Sequence, residues 1–150
     1  MNRTALLALA AAALASSHAA QAQVKAEDTI KYRKGLMQVQ AWALRPISQM
    51  VKGEIPVDRD ALVRYATVID LTSRMVIEGY PVGTERGSET RSRPEIWSDN
   101  AKFRQAVDRF QGDSTKLLEA ARVGTVEAVR APFAAVAKGC TSCHDTYRYK

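Results

Sequence analysis

Apolar residues along this chain recur at steps of three, four and seven, the spacing of one face of an α-helix. No stretch alternates apolar and polar residues for long. Four blocks carry the helical pattern. The first, about residues 26–52, places Ile30, Met37, Leu44 and Val51 seven apart, with Arg33, Gln40 and Ile47 between them. Pro46 is expected to bend or distort it, and Gly53 and Pro56 to stop it. The second, about 58–78, opens on Asp58 as an N-cap and carries Leu62, Tyr65, Ile69, Thr72 and Val76. Gly79 and Pro81 end it. The third starts at Pro94 or just after it, carries Ile96, Phe103, Val107, Phe110, Leu117 and Ala121, and closes at Gly124. The fourth opens on Thr125 and runs through Val126, Val129, Phe133, Val136, Cys140, Cys143 and Tyr147. Pro132 conflicts with that pattern. It either costs about 3 kcal/mol inside the helix or moves the start later. Residues 79–93, GYPVGTERGSETRSR, have no periodicity and form the one long connection. Short links elsewhere favour antiparallel neighbours. The expected fold is all-α, an antiparallel up-down-up-down four-helix bundle.

The first residues stand outside this scheme. MNRTALLALAAAALASSHAAQAQ has Arg3, an apolar run from Ala5 to Ala15, and small residues suited to cleavage. That is the layout of a secretory signal peptide. Residues 1–22 are taken as the signal peptide and 23–150 as one domain. The apolar run is too short to span a bilayer, and no later stretch is apolar enough, so no membrane insertion is expected. The 150 residues carry 22 Lys plus Arg against 16 Asp plus Glu, a net charge of +6. Losing Arg3 with the leader makes it +5. Charges of both signs are interspersed, and aromatic residues do not interleave with the short basic runs, which argues against nucleic acid. The basic balance suits a solvated surface, an anionic cofactor or an acidic redox partner protein.

One short stretch concentrates the chemistry. CTSCH, residues 140–144, holds both cysteines of the chain and, in His144, its only histidine outside the first twenty residues. A disulfide between Cys140 and Cys143 would close a tiny loop and constrain the unfolded chain little. A redox dithiol of this spacing belongs near a βαβ unit, and there is no strand pattern. A zinc site would need about four protein ligands. C-x-x-C-H is the attachment signature of c-type haem. Two thiols add to the porphyrin vinyl groups, and the adjacent imidazole ligates iron. With one histidine in the mature chain, ligation by two histidines of the same chain is impossible. The sixth position falls to methionine, lysine, an exogenous molecule or nothing. Antiparallel packing puts Met37 and Met75 near the haem end and Met50 far from it. Met37, on the core stripe, is the better candidate, either as a ligand or as a core filler.

The chain resembles the cytochrome c′ family over nearly all of its mature length. The resemblance rests on EDTIKYRKGLMQ at 27–38, VKGE at 51–54, RPEIWSDNAKF at 93–103 and KGCTSCHDTYRYK at 138–150. It implies a four-helix bundle, a homodimer, export to the bacterial periplasm, and one covalently bound haem c per chain. It also implies a five-coordinate iron with a hydrophobic distal pocket that binds nitric oxide and carbon monoxide, and a role in electron transfer. On this chain Cys140 and Cys143 would hold the haem and His144 would be its axial ligand. Arg33 matches a position near a haem propionate, and Arg148 the basic residue beside the proximal histidine. Lys34, Glu89 and Thr90 fall where haem-edge contacts are made. Met37 falls at the distal position.

Two functions follow. The leading one is a haem protein whose distal face, free of hydrogen-bond donors, takes small neutral gases. The runner-up is a low-spin electron carrier with His144 and Met37 as the two axial ligands. An exported helical binding protein without haem is the remaining alternative. An enzyme is not expected: the lone histidine is committed to iron, and no distal acid or base group is evident.

Overall fold

The computed structural model describes residues 25–87 and 89–150. The leader, with Arg3 and His18, lies outside the described residues. Among the described residues five α-helices follow in order: α1, Ala26–Lys52; α2, Arg59–Met75; α3, Glu95–Ser98; α4, Asn100–Val123; and α5, Val126–Tyr147. The four long ones form the antiparallel bundle, with α1 against α2, α2 against α4, α4 against α5 and α5 against α1. Among the described residues no helix is long and apolar enough to cross a membrane.

The ends follow from local chemistry. The Asp58 side chain accepts a hydrogen bond from the Ala61 amide at 3.0 Å, and Thr125 accepts one from Ala128 at 3.3 Å, each satisfying a free donor of the first turn. Gly53 and Gly124 end α1 and α4 with φ of 74° and 83°, the left-handed region that glycine enters without strain. Pro46 and Pro132 lie inside α1 and α5, which run through them without interruption. α5 starts at Val126, not later. Ile47 beside the first proline, and Val129 and Val136 on either side of the second, are fully buried. Each such side chain is worth about 1.5–3 kcal/mol, enough to hold a helix across a local defect.

Two helices differ from the sequence expectation. α2 ends at Met75, and the chain tightens into a 3₁₀ turn, Val76–Gly79. That turn brings Gly79 so close to α1 that a β-carbon there would stand 2.8 Å from Cβ of Arg33. The third helix is split at Asp99, whose φ of −124° and ψ of 54° leave the helical region. The short α3 buries Ile96 before α4 begins.

The core has two parts. Ala43, Ile47, Met50, Leu62, Ile69, Leu117, Val129 and Val136 pack the closed end of the bundle. Leu36, Val76, Ile96, Phe103 and Val107 pack the other, edged by the half-buried Tyr32, Met37, Tyr80, Trp97 and Tyr147. This second end is where the bundle opens.

Candidate functional site

At the open end a cleft of about 280 Å³ lies between α1 on one side and α5 on the other, with α4 and the 80–93 loop closing it. Its size is at the lower end for cofactor pockets. Every residue expected at the cofactor site lines it: Arg33, Lys34 and Met37 from α1, Glu89 and Thr90 from the loop, and Cys140, Cys143, His144 and Arg148 from α5 and its end. Met50 lies in the closed-end core and Met75 is outside the cleft lining.

The loop reaches the cleft because α1 and the chain end hold it. Arg33 is 3% exposed. Its guanidinium donates to the Gly79 carbonyl at 3.2 Å, to Thr84 Oγ1 at 3.3 Å, to the Thr84 carbonyl at 3.0 Å and to Thr90 Oγ1 at 2.7 Å. It also faces the Tyr80 ring at 5.0 Å and the Trp97 ring at 5.7 Å. Burial of a cation this deep is expensive unless it is hydrogen-bonded, and these contacts meet that cost. The other strap is backbone: the Arg93 amide donates to the Tyr147 carbonyl at 2.9 Å, and Tyr149 to the Arg91 carbonyl at 2.8 Å. At the mouth Lys34 and Glu89 form an exposed ion pair at 3.0 Å. Glu89 sits at φ 65°, uncommon for a residue with a side chain.

One wall carries the reactive groups. Cys140 and Cys143 are free thiols, half-buried, and three residues apart on α5, so both face the same space. Burial pushes both thiols up; Cys143, with Cys140 beside it, goes to about 11. His144 follows directly. Burial, with the nearby cations Arg148 and Arg91, pulls its imidazole below its ordinary value against the opposing Asp145. That shift favours the neutral ring, the form that coordinates a metal. Tyr147 supports this wall by packing edge-on to Phe103 at 5.2 Å, which packs in turn on Tyr80 at 5.0 Å.

The lining fits a haem. Two unpaired thiols and a neutral imidazole share one wall, while Met37, Val107, Phe103 and Phe110 give apolar surface for a flat ring. Among the described residues, no cluster of three or more His, Cys, Asp or Glu forms a separate metal site.

Sequence reading missed several members. Tyr80, Thr84 and Trp97 hold Arg33, but they lie in or beside the aperiodic loop, where no spacing marks them. Gln40 lines the cleft on the same face of α1 as Met37. Its buried Nε2 has no hydrogen-bond partner. The stripe of α1 contained Gln40, and a polar residue on an apolar face was the available signal.

A family model described as Cytochrome C' matches residues 28–148. The cytochrome c' of Alcaligenes xylosoxydans xylosoxydans is 36% identical over 126 residues, covering 84% of this chain and 97% of that protein. A cytochrome c-556 of Agrobacterium tumefaciens is 29% identical over 121 residues, with coverage of 81% and 97%. Among solved structures, a nitric oxide complex of a variant cytochrome c prime from Alcaligenes xylosoxidans aligns with a TM-score of 0.79 at 36% identity, over 85% of this chain and 98% of that one. Cytochrome c' from Rubrivivax gelatinosus aligns with a TM-score of 0.80 at 26% identity, over 83% and 98%.

Proposed function

Since the chain belongs to the cytochrome c′ family, with haem c as its covalent cofactor, we propose that it works in the periplasm as a gas-binding and electron-transfer haem protein. Cys140 and Cys143 would hold the haem by thioether bonds, and His144 would supply a ligand to its iron. The Met37 side is left open to nitric oxide and carbon monoxide. The observation that carries this reading is the sharing of one cleft by the two thiols and the single imidazole of α5, with Met37 lining it from α1. A relative of known structure binds nitric oxide. The leader at residues 1–22 supports export.

The haem supplies an iron that exchanges one electron and accepts a diatomic ligand. This chain's residues do the rest. Burial and the neighbouring cations lower the His144 pKa, which favours the neutral ring that can coordinate a metal. Burial raises both thiols, which favours their protonated form. Arg33, held at the loop end, offers positive charge toward a propionate. Lys34, Glu89 and Thr90 frame the haem edge, and Arg148 stands beside His144. Phe103, Phe110 and Val107 exclude water from the ring.

A second reading is favoured by one observation: the half-buried Met37 lines the same cleft and carries a thioether. In that case the iron is six-coordinate and the protein carries electrons only. The ferrous absorption spectrum with and without carbon monoxide separates the two. A high-spin spectrum that carbon monoxide shifts supports the open site. A low-spin spectrum that carbon monoxide leaves unchanged, and that Met37→Ala alters, supports the second reading.

The chain also forms a homodimer in this proposal. Val39 and Trp42, one turn apart on α1, are exposed at 46% and 71%. Apolar side chains this open on a bundle face suit a self-complementary contact. The electron partner is a protein with an acidic surface, matched to the basic balance of this chain.

A further inference from the structure

We propose that Arg91 is the side chain that hydrogen-bonds a propionate carboxylate of the haem. The proposal rests on haem being the occupant of the cleft.

A haem carries two propionate carboxylates, so a cleft that takes it must set cations against them. Arg33, Lys34, Arg91 and Arg148 line this cleft, and Glu89 is the one carboxylate among its lining residues. Lys34 is matched to Glu89 at 3.0 Å. Among the described residues, no carboxylate pairs with Arg33, Arg91 or Arg148. Those three cations are left without a counter-charge.

The three are not equivalent. Arg33 supplies charge but not hydrogen bonds. Its two terminal nitrogens carry four N–H groups, and they make four bonds to neutral oxygens of Gly79, Thr84 and Thr90. A two-point grip on a carboxylate needs a pair of N–H groups from one guanidinium, and Arg33 would have to release the loop to supply it. Arg148 is tied to the turn of the imidazole, since its amide donates to the His144 carbonyl at 3.1 Å.

Arg91 comes from the loop, yet its backbone is fixed. Its carbonyl accepts from the Tyr149 amide at 2.8 Å, and two residues on the Arg93 amide donates to the Tyr147 carbonyl at 2.9 Å. Between them Ser92 forms an antiparallel bridge with Arg148. This clasp joins the loop to the end of α5 and holds Arg91 at the cleft. The residue itself is exposed. A propionate is the most polar part of a haem, and a solvent-facing rim is where placing it costs least. A guanidinium on an anchored backbone loses less freedom on binding than one on a mobile loop, and its planar fork matches a carboxylate.

The test uses the holoprotein. The propionate bending band in the resonance Raman spectrum and the midpoint reduction potential are measured for the native protein, Arg91→Gln, Arg91→Lys and Arg86→Gln. The last removes the same charge from the same loop, outside the cleft lining. Arg91→Gln is expected to move the band to lower frequency, because a hydrogen-bonded propionate bends at higher frequency, and to lower the potential, because a lost cation favours the ferric state. Arg91→Lys is expected to restore the potential more fully than the band, since it keeps the charge and loses the fork. Arg86→Gln is expected to leave the band in place. A band that Arg91→Gln also leaves in place overturns the role of Arg91 and leaves haem in the cleft. A native protein with no haem bands overturns both.

Discussion

The guanidinium of Arg33 lies 2.7 Å from Thr90 Oγ1, and this contact, with those to Gly79 and Thr84, hangs the 80–93 loop on the first helix. One side chain thus positions the rim of the cleft. Arg33→Met is expected to destabilise the protein by about 3 kcal/mol, because it removes charged hydrogen bonds and leaves buried carbonyls unpaired. Arg33→Lys is expected to recover only a small part, since an ammonium lacks the planar fork. Urea denaturation reads both values. Midpoints equal to that of the native protein would contradict this role.

Gly79 sets how closely the 3₁₀ turn approaches α1. Gly79→Ala puts a β-carbon 2.8 Å from Cβ of Arg33, with backbone on either side and little room to yield. The expected cost is about 1–3 kcal/mol, the usual penalty for overpacking. The same denaturation measurement checks it.

The thiols should titrate late. In the chain expressed without its leader or haem, Cys143 stands at about 11. At pH 8 its thiolate is then roughly one part in a thousand. Alkylation of Cys143 is expected to accelerate about tenfold per pH unit between pH 8 and 10. A rate that levels off by about pH 9.5 would mean an ordinary, solvated thiol.

Trp42 tests the assembly. Trp42→Glu places a charge on the exposed face of α1, so sedimentation is expected to shift from dimer to monomer with the haem spectrum unchanged. An unaltered sedimentation coefficient would move the interface elsewhere.

The bundle was readable because four long amphipathic stripes outlast their local defects. Val129 and Val136 held α5 together across Pro132, which propensity alone would have broken. The C-x-x-C-H run marked the attachment wall because its chemistry is local, three thiol and imidazole side chains within one helix turn and a half. The 3₁₀ end of α2 and the break at Asp99 were hidden, because both serve tertiary contacts that no periodicity records. The partners of Arg33 were hidden for the same reason: Thr84 and Thr90 lie more than fifty residues away in a loop without pattern. Gln40 stood in plain view as a polar residue on an apolar stripe, but that its Nε2 is buried without a partner shows only in the folded chain.

The most direct measurement is the mass of one peptide. Trypsin, cutting after Lys138 and Arg148, releases GCTSCHDTYR from the denatured, exported protein. This fragment is expected to carry the added mass of one haem, through Cys140 and Cys143. The same fragment with two free or oxidised thiols, and no added macrocycle, would contradict it.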